Sequence, residues 1–177
     1  FGIDDRAEGT LAALFSSEMM TEDGILTQQG SSTFWDRSTL YALRGAFAAG
    51  HADAALSQLH NYSERRLLGT HVPYPVEAYP EGSQRHLSGE SALYCRVITE
   101  GLFGIRPSGF DSFNLKIRMP SDWDEMALNH VKAFGKDFDI KVKRLDGQRL
   151  RIGISCDGRL REYSVKSGQE IKNISLR

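Results

Sequence analysis

The chain has 177 residues, of which 40% are hydrophobic and 25% charged, a composition typical of globular proteins that fold around a hydrophobic core. Lys and Arg total 22 against 23 Asp and Glu, so there is no net charge to attract the chain to a nucleic acid or an anionic membrane. No apolar run approaches the roughly 20 residues of a membrane-spanning helix. We therefore expect neither nucleic-acid binding nor membrane insertion.

Helical periodicity dominates the first half of the chain. Asp5 followed by Glu8 indicates a capping box, and the first helix is predicted to run on from there, with Met19 still on its apolar face, and to end near residues 21–24. Gly50 is suited to the left-handed position that ends the second helix. The later helices are predicted over residues 36–50, 53–67 and 88–102.

The connections between these helices differ greatly in length. The first-to-second connection has about a dozen residues and the third-to-fourth close to twenty, whereas only a few residues around Gly50 join the second to the third. Long loops inside a compact helical domain are uncommon unless they have a function. If neighbouring helices are antiparallel, both long loops lie at the same end of the domain, where they can form a cup-shaped binding site.

After Arg106 and Pro107 the apolar pattern changes from a helical period to alternation, which is typical of strands. Turn pairs such as Asp146-Gly147 and Asp157-Gly158 separate the alternating segments and indicate antiparallel hairpins. Helices followed by strands predict an α+β fold, with a helical part over residues 1–105 and a β part over residues 106–177. The predicted strands cover residues 113–119, 127–134, 138–143, 149–154, 161–165 and 170–174.

The proline-rich third-to-fourth loop holds a carboxylate between two aromatic residues. Tyr74, Glu77 and Tyr79 follow one another in a segment stiffened by Pro73, Pro75 and Pro80. Tyrosine rings can stack on pyranose rings, and a carboxylate can accept a proton from water. Glu77 is therefore a candidate general base for sugar chemistry. The alternative is a surface loop in which Glu77 is merely solvated.

The first-to-second loop ends in a second group of possible sugar-binding residues. Trp35 can serve as a stacking platform, and Asp36 with Arg37 can form hydrogen bonds to sugar hydroxyls. The alternative is that Asp36 caps the second helix and Phe34 packs against it as a hydrophobic staple.

Other chemistries lack support in the sequence. The histidines and the two cysteines have no metal-ligand spacing, and neither a nucleophile elbow nor a dinucleotide- or nucleotide-phosphate-binding motif occurs. We therefore predict no metal and no cofactor. Cys95 and Cys156 are interpreted as buried thiols.

Taken in order, several segments resemble the end of the six-hairpin glycosidases, a superfamily that includes α-L-rhamnosidase-like, glucoamylase-like and trehalase-like enzymes. The resemblance spans roughly residues 1–145. Segments Pro75–Tyr79, Leu87–Tyr94 and Glu100–Pro107 resemble the last hairpin of the α/α toroid. Phe113–Pro120 with Trp123 resembles the crossover into the C-terminal β-sandwich, which related phosphorylases share.

The resemblance implies a specific reaction and a specific place in a larger enzyme. Glu77 matches the general base of inverting hydrolases, and Tyr79 matches an aromatic position that shapes the sugar subsite. The general acid of these families lies upstream, and four helices cannot close a twelve-helix toroid. The resemblance thus implies an oligo- or polysaccharide substrate, completion by an N-terminal portion of the same enzyme or a partner chain, and a periplasmic or secreted location.

Two alternatives to hydrolysis remain open. In a glycoside phosphorylase of related architecture, phosphate would replace the activated water, and Glu77 need not be a base. A non-catalytic carbohydrate-binding or structural module would retain the aromatic loops and the β part without requiring Glu77.

Overall fold

The computed structural model describes residues 4–69, 74–77 and 88–177. Helices come first along the chain and antiparallel strands follow, so the predicted α+β class is confirmed. The chain divides into two units, Phe1–Leu102 and Phe103–Arg177. No helix within the described ranges has the length and apolar character needed to cross a membrane.

The described residues of the first unit form four α-helices. The second helix ends as predicted, because Gly50 has a φ of 101° and the amide of His51 donates to the Ala46 carbonyl at 3.0 Å. The third and fourth helices each continue into a π-helical segment, and together with it they cover the predicted spans. The helices are α1 (Asp4–Leu14), α2 (Asp36–Ala49), α3 (Ala52–Tyr62, continued by Ser63–Leu67) and α4 (Ser88–Arg96, continued by Val97–Leu102).

The predicted end of the first helix is wrong, because α1 stops at Leu14. The Ser16 hydroxyl donates to the Ala13 carbonyl at 2.8 Å, a local hydrogen bond that competes with continuation of the helix. The chain then forms a small hairpin of β1 (Met20–Thr21) and β2 (Gly24–Ile25). The long loop between α1 and α2 therefore has structure of its own.

Helix α2 packs at the centre of the first unit. Leu40, Leu43 and Phe47 on its inner face are fully buried, as the helical period predicts. Gly101 lies against Phe47 so closely that a Cβ atom there would stand 3.2 Å from the ring. On another side of α2, the Arg44 guanidinium lies 2.9 Å from the carboxylate of Glu100, in the π-helical continuation of α4. These contacts fix α2 against the end of the unit that leads into the β part of the chain.

The second unit contains two antiparallel sheets. A strand lies in each of the six predicted segments, but the first of these strands ends at Leu115 rather than at residue 119, and the structure adds a short strand at Ile105–Pro107 that alternation did not reveal. One sheet has the order β3-β4-β9 and the other the order β5-β6-β7-β8. The strands are β3 (Ile105–Pro107), β4 (Ser112–Leu115), β5 (Glu125–Ala133), β6 (Lys136–Arg144), β7 (Arg149–Cys156), β8 (Arg159–Lys166) and β9 (Ile171–Ser175).

Aromatic rings join the two sheets of the second unit. The ring of Phe113 on β4 stacks on that of Phe138 on β6, with centroids 5.4 Å apart. Ile140 and Val142 on β6 are also buried, whereas the intervening Lys141 is exposed. Strand β6 thus alternates between a core face and a charged outer face, as expected for a sheet covered on one side.

The two cysteines are less buried than predicted. Cys95 is exposed on α4, and Cys156 is half-buried at the end of β7. The interpretation of both as buried thiols is therefore wrong. A small apolar residue in a periodic segment need not lie on its inner face.

The turn between β6 and β7 leads to a pH-dependent prediction. The Asp146 carboxylate accepts hydrogen bonds from the backbone amides of Gln148 (3.1 Å) and Arg149 (2.9 Å) and from the Arg149 side chain (2.7 Å). These bonds lower the pKa of Asp146 from 3.8 to about 2, the Arg149 side chain most strongly. A depressed carboxyl pKa stabilises the fold above pH 3.8, and this stabilisation is lost as the pH falls towards 2.

Asp146→Asn should therefore lower the free energy of unfolding at pH 7, and the difference from the unmodified chain should shrink as the pH falls from about 4 to 2. Urea titration at several pH values measures this. Asp122→Asn, at an exposed carboxyl of the same unit, is the control and should produce no such pH dependence. A difference for Asp146→Asn that stays constant with pH would contradict this account of the turn.

Candidate functional site

The described parts of the two long loops lie at the same end of the helical unit, as an antiparallel arrangement of neighbouring helices predicts. The backbone amide of Val76, in the third-to-fourth connection, donates to the Asp36 carboxylate at 2.6 Å. Arg65, which lies where that connection begins, pairs with Asp23 of the β1-β2 hairpin at 2.8 Å and with Glu22 at 3.4 Å. The described part of one long loop is therefore attached to the start of α2, and the hairpin of the other is attached to the end of α3.

Asp36 is buried inside the protein at the N-terminal end of α2 and does not lie on the surface. The N-cap position of α2 is Trp35, without a side-chain capping bond, and Asp36 is the first helical residue. The interpretation of Asp36 as the helix cap is therefore wrong. Its side chain is 1% exposed, with Oδ2 accepting the Val76 amide and Oδ1 lying 2.9 Å from the Arg66 guanidinium. The structure places Asp36 inside the protein, where it joins two distant segments.

Arg66 supplies the counter-charge for Asp36 from the π-helical continuation of α3. Its side chain is 2% exposed, and the guanidinium lies over the ring of Tyr62, 5.9 Å from the centroid. Tyr62 in turn stacks on Tyr94 of α4 with centroids 6.2 Å apart. Two aromatic rings and a buried ion pair thus hold the ends of α2, α3 and α4 together.

The stability of this buried cluster depends on the presence of both charges, that of Asp36 and that of Arg66. Burial raises the pKa of Asp36, while Arg66 and the Val76 amide oppose the rise. Burial also raises the pKa of Tyr62, and the negative charge of Asp36 adds to the rise. Breaking a buried ion pair leaves one charge without compensation, which is far more costly than losing a surface pair.

A second ion pair connects α2 to α4. Glu90 on α4 is fully buried, and its Oε1 accepts from Arg37 Nε at 2.7 Å and lies 2.6 Å from the terminal nitrogen Nη2 of Arg37. The Arg37 side chain is 48% exposed, so its other side faces solvent. The pKa of Arg37 is raised, first by the hydrogen bond to Glu90 and in smaller part by Glu77. Arg37 therefore pairs directly with a buried carboxylate and also experiences the charge of an exposed one.

Three residues near the two ion pairs are at least partly exposed to solvent. Trp35 is 40% exposed, Glu77 is exposed, and Tyr74 is half-buried. Glu77 directly follows Val76, and Arg37 directly follows Asp36, so the Val76–Asp36 hydrogen bond brings the exposed carboxylate near the guanidinium. The structure thus unites an aromatic ring, a carboxylate and a guanidinium at one end of the helical unit. Tyr79, Pro73 and Pro80 lie outside the described residues.

Arg66, Glu90 and Tyr62 were not predicted as parts of the site. A signal for two of them exists in the sequence. Arg66 is four residues after Tyr62 on α3 and its continuation, and Glu90 is three before the buried Leu93 on α4, so both charges fall on apolar stripes. A charged residue on an apolar stripe indicates a buried partner, because an uncompensated charge is not stable there.

No protein-family model, curated protein or solved structure matches this chain. Within the described part of the chain, no group of three or more His, Cys, Asp or Glu side chains is arranged to hold a metal ion. The function is therefore inferred from the residues of the site and from the motifs of the sequence.

Proposed function

We propose that this chain forms part of a glycoside hydrolase that cleaves glycosidic bonds with inversion, with Glu77 as the general base. The observation that carries the proposal is the 2.6 Å hydrogen bond between Val76 and Asp36. It holds the proline-rich loop at the N-terminal end of α2, where the exposed Glu77 joins Trp35 and Arg37. A carboxylate beside an aromatic surface and a hydrogen-bond donor is what a sugar-cleaving site requires.

Each residue of the site has a distinct part in the proposed reaction. Glu77 takes a proton from a water molecule whose oxygen attacks the anomeric carbon, while a general acid protonates the departing glycosidic oxygen. Trp35 and Tyr74 stack against sugar rings, and Arg37 donates hydrogen bonds to hydroxyls. Tyr79 remains part of the proposed subsite on the resemblance alone. In inverting enzymes the two carboxyl groups stand about 6.5–9.5 Å apart, which leaves room for the water.

The detailed architecture belongs to the same proposal. The four helices would form the last hairpins of a six-hairpin toroid, and the two sheets its C-terminal β-sandwich. One side of α1 supports this, because the exposed small residues Gly9 and Ala13 lie with Leu14 and Met19 along an open surface on which another helix can pack. The missing hairpins and the general acid would come from an N-terminal portion of the enzyme or from a partner chain.

A glycoside phosphorylase is the second candidate, and the half-exposed Arg37 is the observation in its favour. A guanidinium beside the sugar site could bind phosphate. Glu90 already neutralises Arg37 at 2.6 Å, however, and Glu77 adds a further negative charge. The local charge thus favours water over phosphate as the attacking group.

Turnover assays with the natural full-length protein separate the possibilities. The protein is incubated with a panel of oligosaccharides with and without inorganic phosphate. Release of free sugar without phosphate is the expected result for a hydrolase. Formation of a sugar phosphate only when phosphate is present would establish a phosphorylase. Binding of sugars without cleavage under either condition would identify a non-catalytic module.

A further inference from the structure

Asp36, the first residue of α2, is the point where the described part of the third-to-fourth connection is attached to that helix. Its carboxylate is 1% exposed and is engaged on both oxygens, with Arg66 at 2.9 Å and the Val76 amide at 2.6 Å. A group so enclosed does not contact a sugar, although its exposed neighbours Trp35 and Arg37 can. Asp36 therefore acts through the groups that its carboxylate binds, the Val76 amide and the Arg66 guanidinium.

The residue that Asp36 holds directly precedes Glu77. A backbone amide that donates to a carboxylate forms a charge-assisted hydrogen bond, which is shorter and stronger than a neutral one. Fixing the Val76 amide holds the peptide group between Pro75 and Val76, one residue before the Cα atom from which the Glu77 side chain projects. A catalytic group displaced by about 1 Å can lose on the order of 10²-fold in rate.

We propose that Asp36 is a positioning residue that fixes Glu77 through the Val76 amide, with Arg66 and Tyr62 holding the Asp36 carboxylate in place. This inference rests on the proposed role of Glu77. Arg66 lies 2.9 Å from Oδ1 of Asp36 and packs over the Tyr62 ring. This contact holds the carboxylate in one orientation, with Oδ2 directed at the Val76 amide. The buried ion pair thus serves to orient a loop.

The test separates positioning from stability. Asp36→Ala alone removes the carboxylate that pairs with the buried Arg66 and should reduce folding as well as turnover. The double variant Asp36→Leu with Arg66→Met replaces the pair by apolar side chains, which often restores stability, yet it offers Val76 no acceptor. We expect the double variant to unfold close to the melting temperature of the unmodified protein while kcat stays about 10- to 100-fold lower, with a smaller change in KM.

Two controls address general disturbance of α2. Thr39→Val changes another buried polar residue of the same helix, and Arg44→Met removes an ion pair of α2 with Glu100. Both should leave kcat within about threefold of the unmodified protein, since no contact of either residue with residues 74–77 is seen in the described part of the chain. Recovery of kcat together with stability in the double variant would show a structural role only and overturn the inference.

Amide hydrogen exchange tests the same contact without any catalysis. In the natural full-length protein, the Val76 amide should exchange about tenfold or more faster in the double variant, because its charge-assisted hydrogen bond is gone. Unchanged exchange would overturn the inference whatever the activity. Faster exchange in the double variant, combined with normal turnover in Glu77→Gln, would instead confirm the anchor and reject the proposed function, so the two failures are distinguishable.

Discussion

Replacement of Glu77 by Gln should lower kcat about 10²- to 10⁴-fold in the natural full-length protein, because Gln has nearly the same shape but cannot accept a proton from water. Glu77 is exposed, so its substitution should leave the unfolding temperature nearly unchanged. Steady-state kinetics and a thermal unfolding curve measure the two effects. A loss of turnover without loss of stability is the result expected for a general base.

Two further measurements sharpen this prediction. Glu18→Gln changes another exposed glutamate of the same unit and should leave kcat unchanged. Azide is a nucleophile that needs no deprotonation, so adding it should restore part of the cleavage by Glu77→Gln. Turnover by Glu77→Gln equal to that of the unmodified protein would remove Glu77 from the mechanism.

Arg66→Met should lower the free energy of unfolding by about 3–5 kcal/mol, because it leaves the Asp36 carboxylate buried without its counter-charge. Arg66 is 2% exposed and Asp36 1%, so water cannot replace the lost partner without local opening. The loss should become smaller at acid pH, since burial already raises the pKa of Asp36 and removal of Arg66 raises it further. Urea denaturation at neutral and acid pH measures both effects.

The neighbouring residue provides a matched control for this substitution. Arg65 also pairs with an aspartate, Asp23, at 2.8 Å, but its side chain is 46% exposed. Arg65→Met should therefore cost only about 0–1 kcal/mol. Equal losses for Arg65→Met and Arg66→Met would show that burial of the Asp36 pair does not govern its contribution.

The helices and strands were largely predictable because their signals are local. Helix α2 carries its apolar period and its terminal Gly50 within one segment, and β6 shows its alternation within nine residues. The end of α1 was not predictable in this way. Apolar residues continue in helical register as far as Met19, but the Ser16 hydroxyl bonds to the Ala13 carbonyl and the chain turns into a hairpin.

The candidate site was predictable in its outline but not in its internal contacts. An antiparallel arrangement of the helices predicts that the two long loops lie at one end, and the described residues 74–77 do lie near Trp35 at the start of α2. The function of Asp36 was not predictable, because it depends on a hydrogen bond between residues 40 positions apart in the sequence. Local patterns favoured a helix cap for Asp36, whereas the tertiary fold uses its carboxylate to bind another loop.

The anomeric configuration of the first product tests the central claim most directly. A glycoside of known configuration is added to the natural full-length protein, and proton NMR spectra are recorded before the released sugar mutarotates. Direct attack by a water molecule that Glu77 activates predicts a product of the opposite configuration. A product that retains the configuration of the substrate would require a covalent glycosyl intermediate and would contradict the assignment of Glu77 as the base of an inverting hydrolase.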